Sequence, residues 1–133
     1  MGRILLYADE YVGAWLEERM GVKINPPYTS FGLIGADGLL AGAMIFNSFN
    51  EGNAEVSIYA PRAVSRGVLR AAARYLFETA GCNRVTARTR ASALRVRRFI
   101  EKVGFQKEGV LRAYYADGED AILYGLLESE NRW

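Results

Sequence analysis

The stretch from Asn53 to Gly81, NAEVSIYAPRAVSRGVLRAAARYLFETAG, constrains the chain most, because it reads as a strand feeding a helix through a short basic turn. Glu55 to Tyr59 alternates with the period of a strand, Val56 and Ile58 on one face and Glu55, Ser57 and Tyr59 on the other. Pro61 ends it, since proline offers a ladder no N–H. From Val64 the apolar positions Val64, Val68, Ala72, Leu76 and Ala80, with Leu69, Ala73 and Phe77 beside them, form the stripe of an amphipathic helix. Arg66, Arg70 and Arg74 take the other side, and Arg74 stands one turn before Glu78. A helix start leaves backbone N–H groups without partners and carries partial positive charge, so the turn holding Arg62, Ser65, Arg66 and Gly67 suits a phosphate, with Gly67 giving close access. An ordinary helix start with solvated arginines explains the same residues, and one glycine is far short of a full phosphate-loop pattern.

The remaining segments support this unit. Arg3 to Tyr7 reads as an edge strand, and Asp9 as the N-cap of a helix that turns Val12, Trp15, Leu16 and Met20 inward and stops at Gly21. Asn25-Pro26-Pro27 breaks the chain. Tyr28 to Gly35 and Leu39 to about Phe49 form a hairpin across Asp37-Gly38, and Asn50 to Asn53 turns the chain into the central strand, giving an antiparallel meander. Arg84 to Thr89 alternates again, and a strand, helix and strand in one sheet make a right-handed parallel crossover. Ser92 is placed to cap a second helix with Val96, Phe99, Ile100 and Val103 inward, ended by Gly104. Phe105 to about Tyr115 and Ala121 to Glu128 then form a final hairpin across Asp117-Gly118.

A chain of 133 residues, half of them hydrophobic, suits a single domain spanning 1–133. One cysteine, Cys82, and no histidine leave neither an internal disulfide nor a zinc site, so no metal is expected. No apolar run approaches a membrane span or a signal segment, which predicts a cytoplasmic protein with no membrane partner. The net charge of +2 is no nucleic-acid signature, although arginines crowd between Arg62 and Arg112 and suggest an anionic ligand. Arg84, Arg88, Arg90, Arg95, Arg97 and Arg98 keep a nucleic-acid partner open as a minor reading, but they divide among a strand, a turn and a helix.

The order of elements, together with PRAVSRGV and RFIEKVGFQKEGVLRAYYADGEDAILYGLLESE, resembles the GNAT superfamily of acetyl-coenzyme A-dependent N-acetyltransferases. Within it the chain is most similar to the ribosomal-protein N-terminal acetyltransferase branch, from about Leu33 to the end. The resemblance implies a mixed α/β (α+β) fold: a mostly antiparallel central sheet with a parallel, splayed strand pair and helices on both faces. It implies acetyl-coenzyme A (acetyl-CoA) as cosubstrate. The family's pattern Q/R-x-x-G-x-G/A corresponds to Arg62, Ser65 and Gly67, with serine where the first glycine is usual, so that the backbone amides of residues 65 to 68, Arg66 and Val68 included, would hold the pyrophosphate. The pantetheine arm would run along Val56, Ile58, Tyr59 and Ala60 in the gap between the parallel strands. Ala93 stands where the family often has asparagine, with Ser92 as a substitute contact, and Ile100 stands where a tyrosine often protonates the leaving thiolate. Tyr59, Tyr114 and Tyr115 are replacements if the fold aims one at the thioester.

Acetyl transfer by direct attack of an amine requires positioning, a base and oxyanion stabilisation. Glu55, the only carboxylate on the central strand, is the candidate base, taking the proton through water. Glu119 and Asp120 are placed to meet a cationic acceptor or simply to serve the last turn. At neutral pH about one in ten α-amines is uncharged but only roughly one in a thousand lysines or fewer. A weak base therefore favours a protein or peptide N-terminus, or a small amine of low pKa, over an ordinary lysine. A homodimer is compatible with the resemblance. Ser65, Ala93 and Ile100 also support a different reading, a noncatalytic acyl-CoA-binding or protein-interaction module of the same fold.

Overall fold

The computed structural model describes residues 3–133, and the alternating and helical stretches take their expected order. The strands are β1 (Arg3–Leu5), β2 (Thr29–Ile34), β3 (Leu40–Asn50), β4 (Asn53–Tyr59), β5 (Arg84–Arg90), β6 (Gln106–Leu111) and β7 (Ala121–Leu127). They form one seven-stranded sheet in the order β1-β2-β3-β4-β5-β7-β6, antiparallel except for β4 against β5. The expected mixed sheet with a parallel central pair is therefore present.

Helix α1 (Asp9–Met20) buries Val12 and Leu16 against Ala43 and Ile45, which point to one face of the sheet. Helices α2 (Arg66–Ala73) and α3 (Leu94–Val103) cover the other face. There Phe46, Val56, Val85, Tyr124 and Leu126 meet Val68, Ala72, Leu76 and Ile100 in the main core. The period-2 pattern decides this division: Met44 and Phe46 face α2, while Ala43 and Ile45, alternating with them, face α1.

Several local expectations shift. Asp9 is the first helical residue rather than the cap; its carboxylate accepts a hydrogen bond from Ser30 Oγ at 2.7 Å, which ties α1 to β2. Met20 is exposed. Val64 precedes α2, which Ser65 caps, so the apolar stripe begins at Val68; Ala80, at the far end, is exposed. After Ala73 the helix widens into a π-helical segment, Arg74–Thr79, a change that an amphipathic stripe does not encode. Helix α3 starts after Ala93, without a side-chain cap from Ser92. The last hairpin is shorter than its alternation suggests: Ala113 adopts φ 50° and its N–H donates to Asp120 Oδ1 at 2.8 Å, so residues 112 to 120 leave the sheet as a loop.

Phe46 is fully buried and stands edge-on to Phe31 at 4.9 Å, with Tyr75 at 5.2 Å, so it joins the sheet to the π-helical segment. Phe46→Ala is expected to cost about 3–5 kcal/mol and to lower the melting temperature by roughly 10–20 °C. Arg74→Ala removes a solvent-exposed ion pair with Glu78 at 3.7 Å and is expected to cost below about 0.5 kcal/mol. Urea unfolding of both variants checks the contrast.

Candidate active site

The parallel ladder joins Asn53 to Arg84, Ala54 to Val85, Glu55 to Thr86 and Val56 to Ala87, and there it ends. Beyond that point β4 stays with β3 as far as Tyr59, and β5 stays with β7 as far as Arg90. The two strands part, leaving backbone N–H and C=O groups on the gap side without a ladder partner. A β-bulge lies before the parting: Asn47 pairs with Glu55 but Asn50 pairs with Asn53, so β3 carries one extra residue opposite the start of β4, and Ser48 takes φ 53°. Bulges increase local twist and re-aim neighbouring side chains. Gly42 lets the end of β4 close on β3, because a Cβ there would stand 2.6 Å from the Tyr59 carbonyl oxygen.

The gap is a cleft of about 490 Å³. Val56, Ile58, Ala87, Val96 and Ile100 line its apolar side, toward α2 and α3. Glu55, Ser57, Tyr59, Arg88 and Arg90 line the other, with Val22 from the end of α1 and Tyr114 and Tyr115 from the loop after β6. Glu55, Val56, Ile58 and Tyr59 are thus brought together as the sequence predicts. All three candidate tyrosines reach the cleft, two of them from a loop rather than from a strand.

Glu55 is not free. Arg88 Nη1 holds its Oε1 at 2.7 Å, and the Arg88 guanidinium lies 5.1 Å from the centre of the Tyr114 ring. Arg90 is held by Asp117 at 2.9 Å and Glu119 at 3.0 Å and stacks 4.1 Å from the Tyr115 ring centre. Hydrogen bonds from Ser92 and then from Arg90 hold the Glu119 carboxyl below the usual carboxylate range. A bond from the Glu119 amide, with the help of Arg90, does the same for Asp117. These acids serve the loop. Asp120 likewise spends Oδ1 on the Ala113 amide. Sequence reasoning did not assign Arg88 to the site; its signal is the shared alternation, since Glu55 and Arg88 project from the same face of paired strands.

The proposed phosphate turn lies at the same end of the sheet, because only Ala60 and a 3₁₀ turn, Pro61–Ala63, separate β4 from the Ser65 cap. Ala60 makes the bend with φ 61°. Arg62 and Arg66 are exposed. Ser65 Oγ accepts the Val68 N–H at 3.2 Å, so the Val68 amide is already occupied and its side chain is in the core. The amides of Arg66 and Gly67 remain the unspent donors of the first turn. Nothing but Ser65 Oγ, at 3.7 Å, would meet a Cβ on Gly67, so the fold itself does not demand glycine there. Gly67 also borders a second groove, between α2 and β1–β2. Ser92 does not line the cleft; its amide donates to Glu119 at 2.8 Å, and Ala93 faces the gap instead.

Of the six arginines that raised nucleic acid as a partner, Arg84 is paired with Glu108, Arg88 with Glu55, Arg90 with Asp117 and Glu119, and Arg97 bonds to Tyr124 and the Ala91 carbonyl. They form no continuous free strip. Among the described residues no helix is long and apolar enough to cross a membrane.

The chain is 34% identical over 93 residues to an uncharacterised N-acetyltransferase of Methanocaldococcus jannaschii; the match covers 65% of this chain and 59% of that protein, so the chain spans about three fifths of the curated relative it matches. Among solved structures it is similar to a dodecameric spermidine N-acetyltransferase from Vibrio cholerae in an intermediate state, with a TM-score of 0.71 and 18% identity over 97% of this chain and 94% of that one. It is also similar to a GCN5-related N-acetyltransferase from Brucella melitensis, with a TM-score of 0.68 and 25% identity over 88% of this chain and 57% of that one. No family model matches the chain.

Burial pushes the phenols of Tyr59 and Tyr115 above their ordinary value; a bond to Ser57 opposes the shift at Tyr59, and Arg90 and Arg88 oppose it at Tyr115. Both therefore stay protonated through neutral pH. A proton held in the native state above the unfolded value of about 10 gives stability that is complete below that pH and is lost as pH rises through the raised folded values. Urea unfolding between pH 8 and 11 is expected to show a declining midpoint above pH 10. Tyr115→Phe is expected to flatten that decline.

Proposed function

We propose that this chain, which has the fold of the GNAT superfamily, is an acetyl-CoA-dependent N-acetyltransferase that acylates a primary amine by direct attack in a ternary complex. The observation that carries this reading is the parting of β4 and β5 after Val56 and Ala87, next to the start of α2. A pantetheine arm is a slender chain of amides. It fits a gap walled by Val56, Ile58 and Ala87, and it can bond to backbone groups that the ladder leaves free. The amides of Arg66 and Gly67 and the Arg62 and Arg66 guanidiniums then suit the phosphates.

With the thioester at the parting of the strands, the amine approaches from the face carrying Glu55, Ser57 and Tyr59. Its lone pair attacks the carbonyl carbon, the C–S bond breaks, and the amide and free coenzyme A result. Glu55 accepts the amine proton through water. A neutral phenol, Tyr59 or Tyr115, supplies the proton to the thiolate, since Ile100 is buried and offers none. Similarity to the ribosomal-protein branch favours a protein or peptide N-terminus as acceptor, and a small amine satisfies the same chemistry. A second reading, an acyl-CoA-binding module without turnover, is favoured by hydrocarbon at Ile100 and Ala93 on the cleft wall. Its mark is binding without thiol release.

Acetyl-CoA at a hundred times its dissociation constant is expected to stabilise the protein by about 2.7 kcal/mol and raise its melting temperature by roughly 10 °C. Gly67→Leu should fold, because the space around Gly67 is open, yet lose that shift. A flat titration of the wild type into the millimolar range removes the cofactor assignment, and a folded Gly67→Leu protein that binds normally moves the phosphate site elsewhere.

Glu55→Gln separates enzyme from binding module. It is expected to keep the thermal shift while lowering acetyl transfer by about 10²-fold or more at neutral pH, the loss shrinking as pH rises and the amine neutralises itself. Thiol release with free-N-terminus peptides across pH measures this, and equal turnover by mutant and wild type at every pH eliminates Glu55 as the base.

A further inference from the structure

The acceptor side of the cleft carries an unusual charge arrangement. Among its lining residues Glu55 is the only acid, and Arg88 and Arg90 are the only bases. Arg90 is satisfied by Asp117 and Glu119, whose oxygens also take the Ser92 and Glu119 amides. Arg88 differs. Of the five N–H donors of a guanidinium, one Nη1 contact to Glu55 is the polar bond it makes among the described residues, and its side chain is 34% exposed. The cleft thus presents a carboxylate and a fork of donors side by side, both within reach of solvent.

We propose that the acceptor is an amine bearing a carboxylate a few bonds from its nitrogen, an amino acid or the acidic first residue of a peptide, and that Arg88 binds this carboxylate and so releases Glu55 for the amine's proton. This rests on the acetyl-transfer reading and names its substrate class. An ammonium with a neighbouring carboxylate is the complement of the Glu55–Arg88 pair: the ammonium meets Glu55, the carboxylate meets Arg88, and no charge is left unpaired. Exchanging the single Nη1 contact to Glu55 for a substrate carboxylate gives Arg88 the strong charge-assisted, bidentate bonding that arginine favours. A polycation would find one carboxylate, already paired, and two arginines facing it. A neutral acceptor would have to leave Arg88 on Glu55, where it competes with the base for the same oxygen.

The test compares acceptors that differ by one charge. Glu-Ala-Ala-amide and Gln-Ala-Ala-amide have matched N-termini; free alanine and alaninamide, with rates compared per uncharged amine because a free carboxylate raises the amine's pKa, test the amino-acid source; spermidine tests the polycation. For wild type, kcat/KM for the Glu peptide is expected to exceed that for the Gln peptide by about tenfold or more, mainly through KM, with spermidine below both. An advantage of alanine over alaninamide without one for the Glu peptide assigns the site to free amino acids, and the reverse assigns it to peptides. In Arg88→Gln either preference should fall to within about twofold, and in Arg88→Lys, which keeps the charge without the fork, it should be partly retained. Preferences near one in both wild-type pairs, or a preference that survives in folded Arg88→Gln, overturn the proposal. If wild type acetylates none of these acceptors, the acetyl-transfer reading fails for this substrate class. Calorimetric binding of the N-acetylated Glu and Gln peptides and of N-acetylalanine and its amide to the coenzyme A-loaded protein then decides, and no Arg88-dependent preference for the acids overturns the proposal without turnover.

Discussion

Two neighbouring parallel strands normally share a ladder along their whole length, yet β4 and β5 share theirs only as far as Val56 and Ala87 while each keeps its outer neighbour for several residues more. Each half of the sheet therefore keeps its own antiparallel ladder, β5–β7 without a break and β3–β4 with one bulge, and these hold the two halves apart. The bulge in β3 opposite the start of β4 adds twist at that point. A sheet opened in this way must place something polar in the gap, because its unpaired backbone groups are costly to bury alone. The right-handed crossover brings the start of α2 to the same end, and the cleft and the helix terminus become parts of one surface.

The two faces of the sheet are stabilised unequally, and that inequality leaves the site accessible. On the side of α2 and α3 the core is continuous from Phe31 to Leu126. On the other side α1 covers Ala43 and Ile45 on β3, and the strands beyond β4 are dressed with polar groups instead. There Arg84 bonds to Asn53, Thr86 and Glu108, and Thr86 Oγ1 donates to Asn53 Oδ1 at 2.8 Å. A bulge in β6 turns Glu108 over Gly125, where any side chain would collide with its carboxylate. Half-exposed ion pairs of this kind contribute little each. Their effect is to let an uncovered sheet face meet water without inviting a second layer of structure.

Most of the fold was legible in the sequence because period-2 and period-3.6 patterns, turn residues and the crossover rule all point to the same order of elements. What alternation did not show lies where one local contact or one strand register decides the outcome. The stretch after β6 reads as strand because Tyr114 and Tyr115 suit strands, whereas bonds from the Ala113 amide to Asp120 and from the Tyr115 amide to the Glu119 carbonyl fold it into a loop that reaches the cleft. At the expected phosphate turn the Ser65 hydroxyl occupies the Val68 N–H, so of the amides of residues 65 to 68 that one is already bonded. Glu55 stands on the cleft wall, and its pairing with Arg88 depends on which residues of two distant strands fall side by side, a register that alternation alone does not set.

The crowd of arginines shows how composition and geometry answer different questions. A count of basic residues between Arg62 and Arg112 suggests a strong anion-binding surface, but several of those charges are met internally: Arg84 by Glu108, Arg88 by Glu55, Arg90 by Asp117 and Glu119, and Arg74 by Glu78. Arg62 and Arg66, exposed beside the start of α2, stand apart from those pairs. In the proposed reading the phosphate contacts are therefore concentrated at one helix terminus, and the arginines of β5 lie on the side of the cleft that carries Glu55. Alternation along β4 separates these tasks, since Val56 and Ile58 turn toward the helices and Glu55, Ser57 and Tyr59 turn away. A single strand thereby gives the cleft one apolar and one charged wall, the division that the proposed transfer of an acyl group to an amine requires.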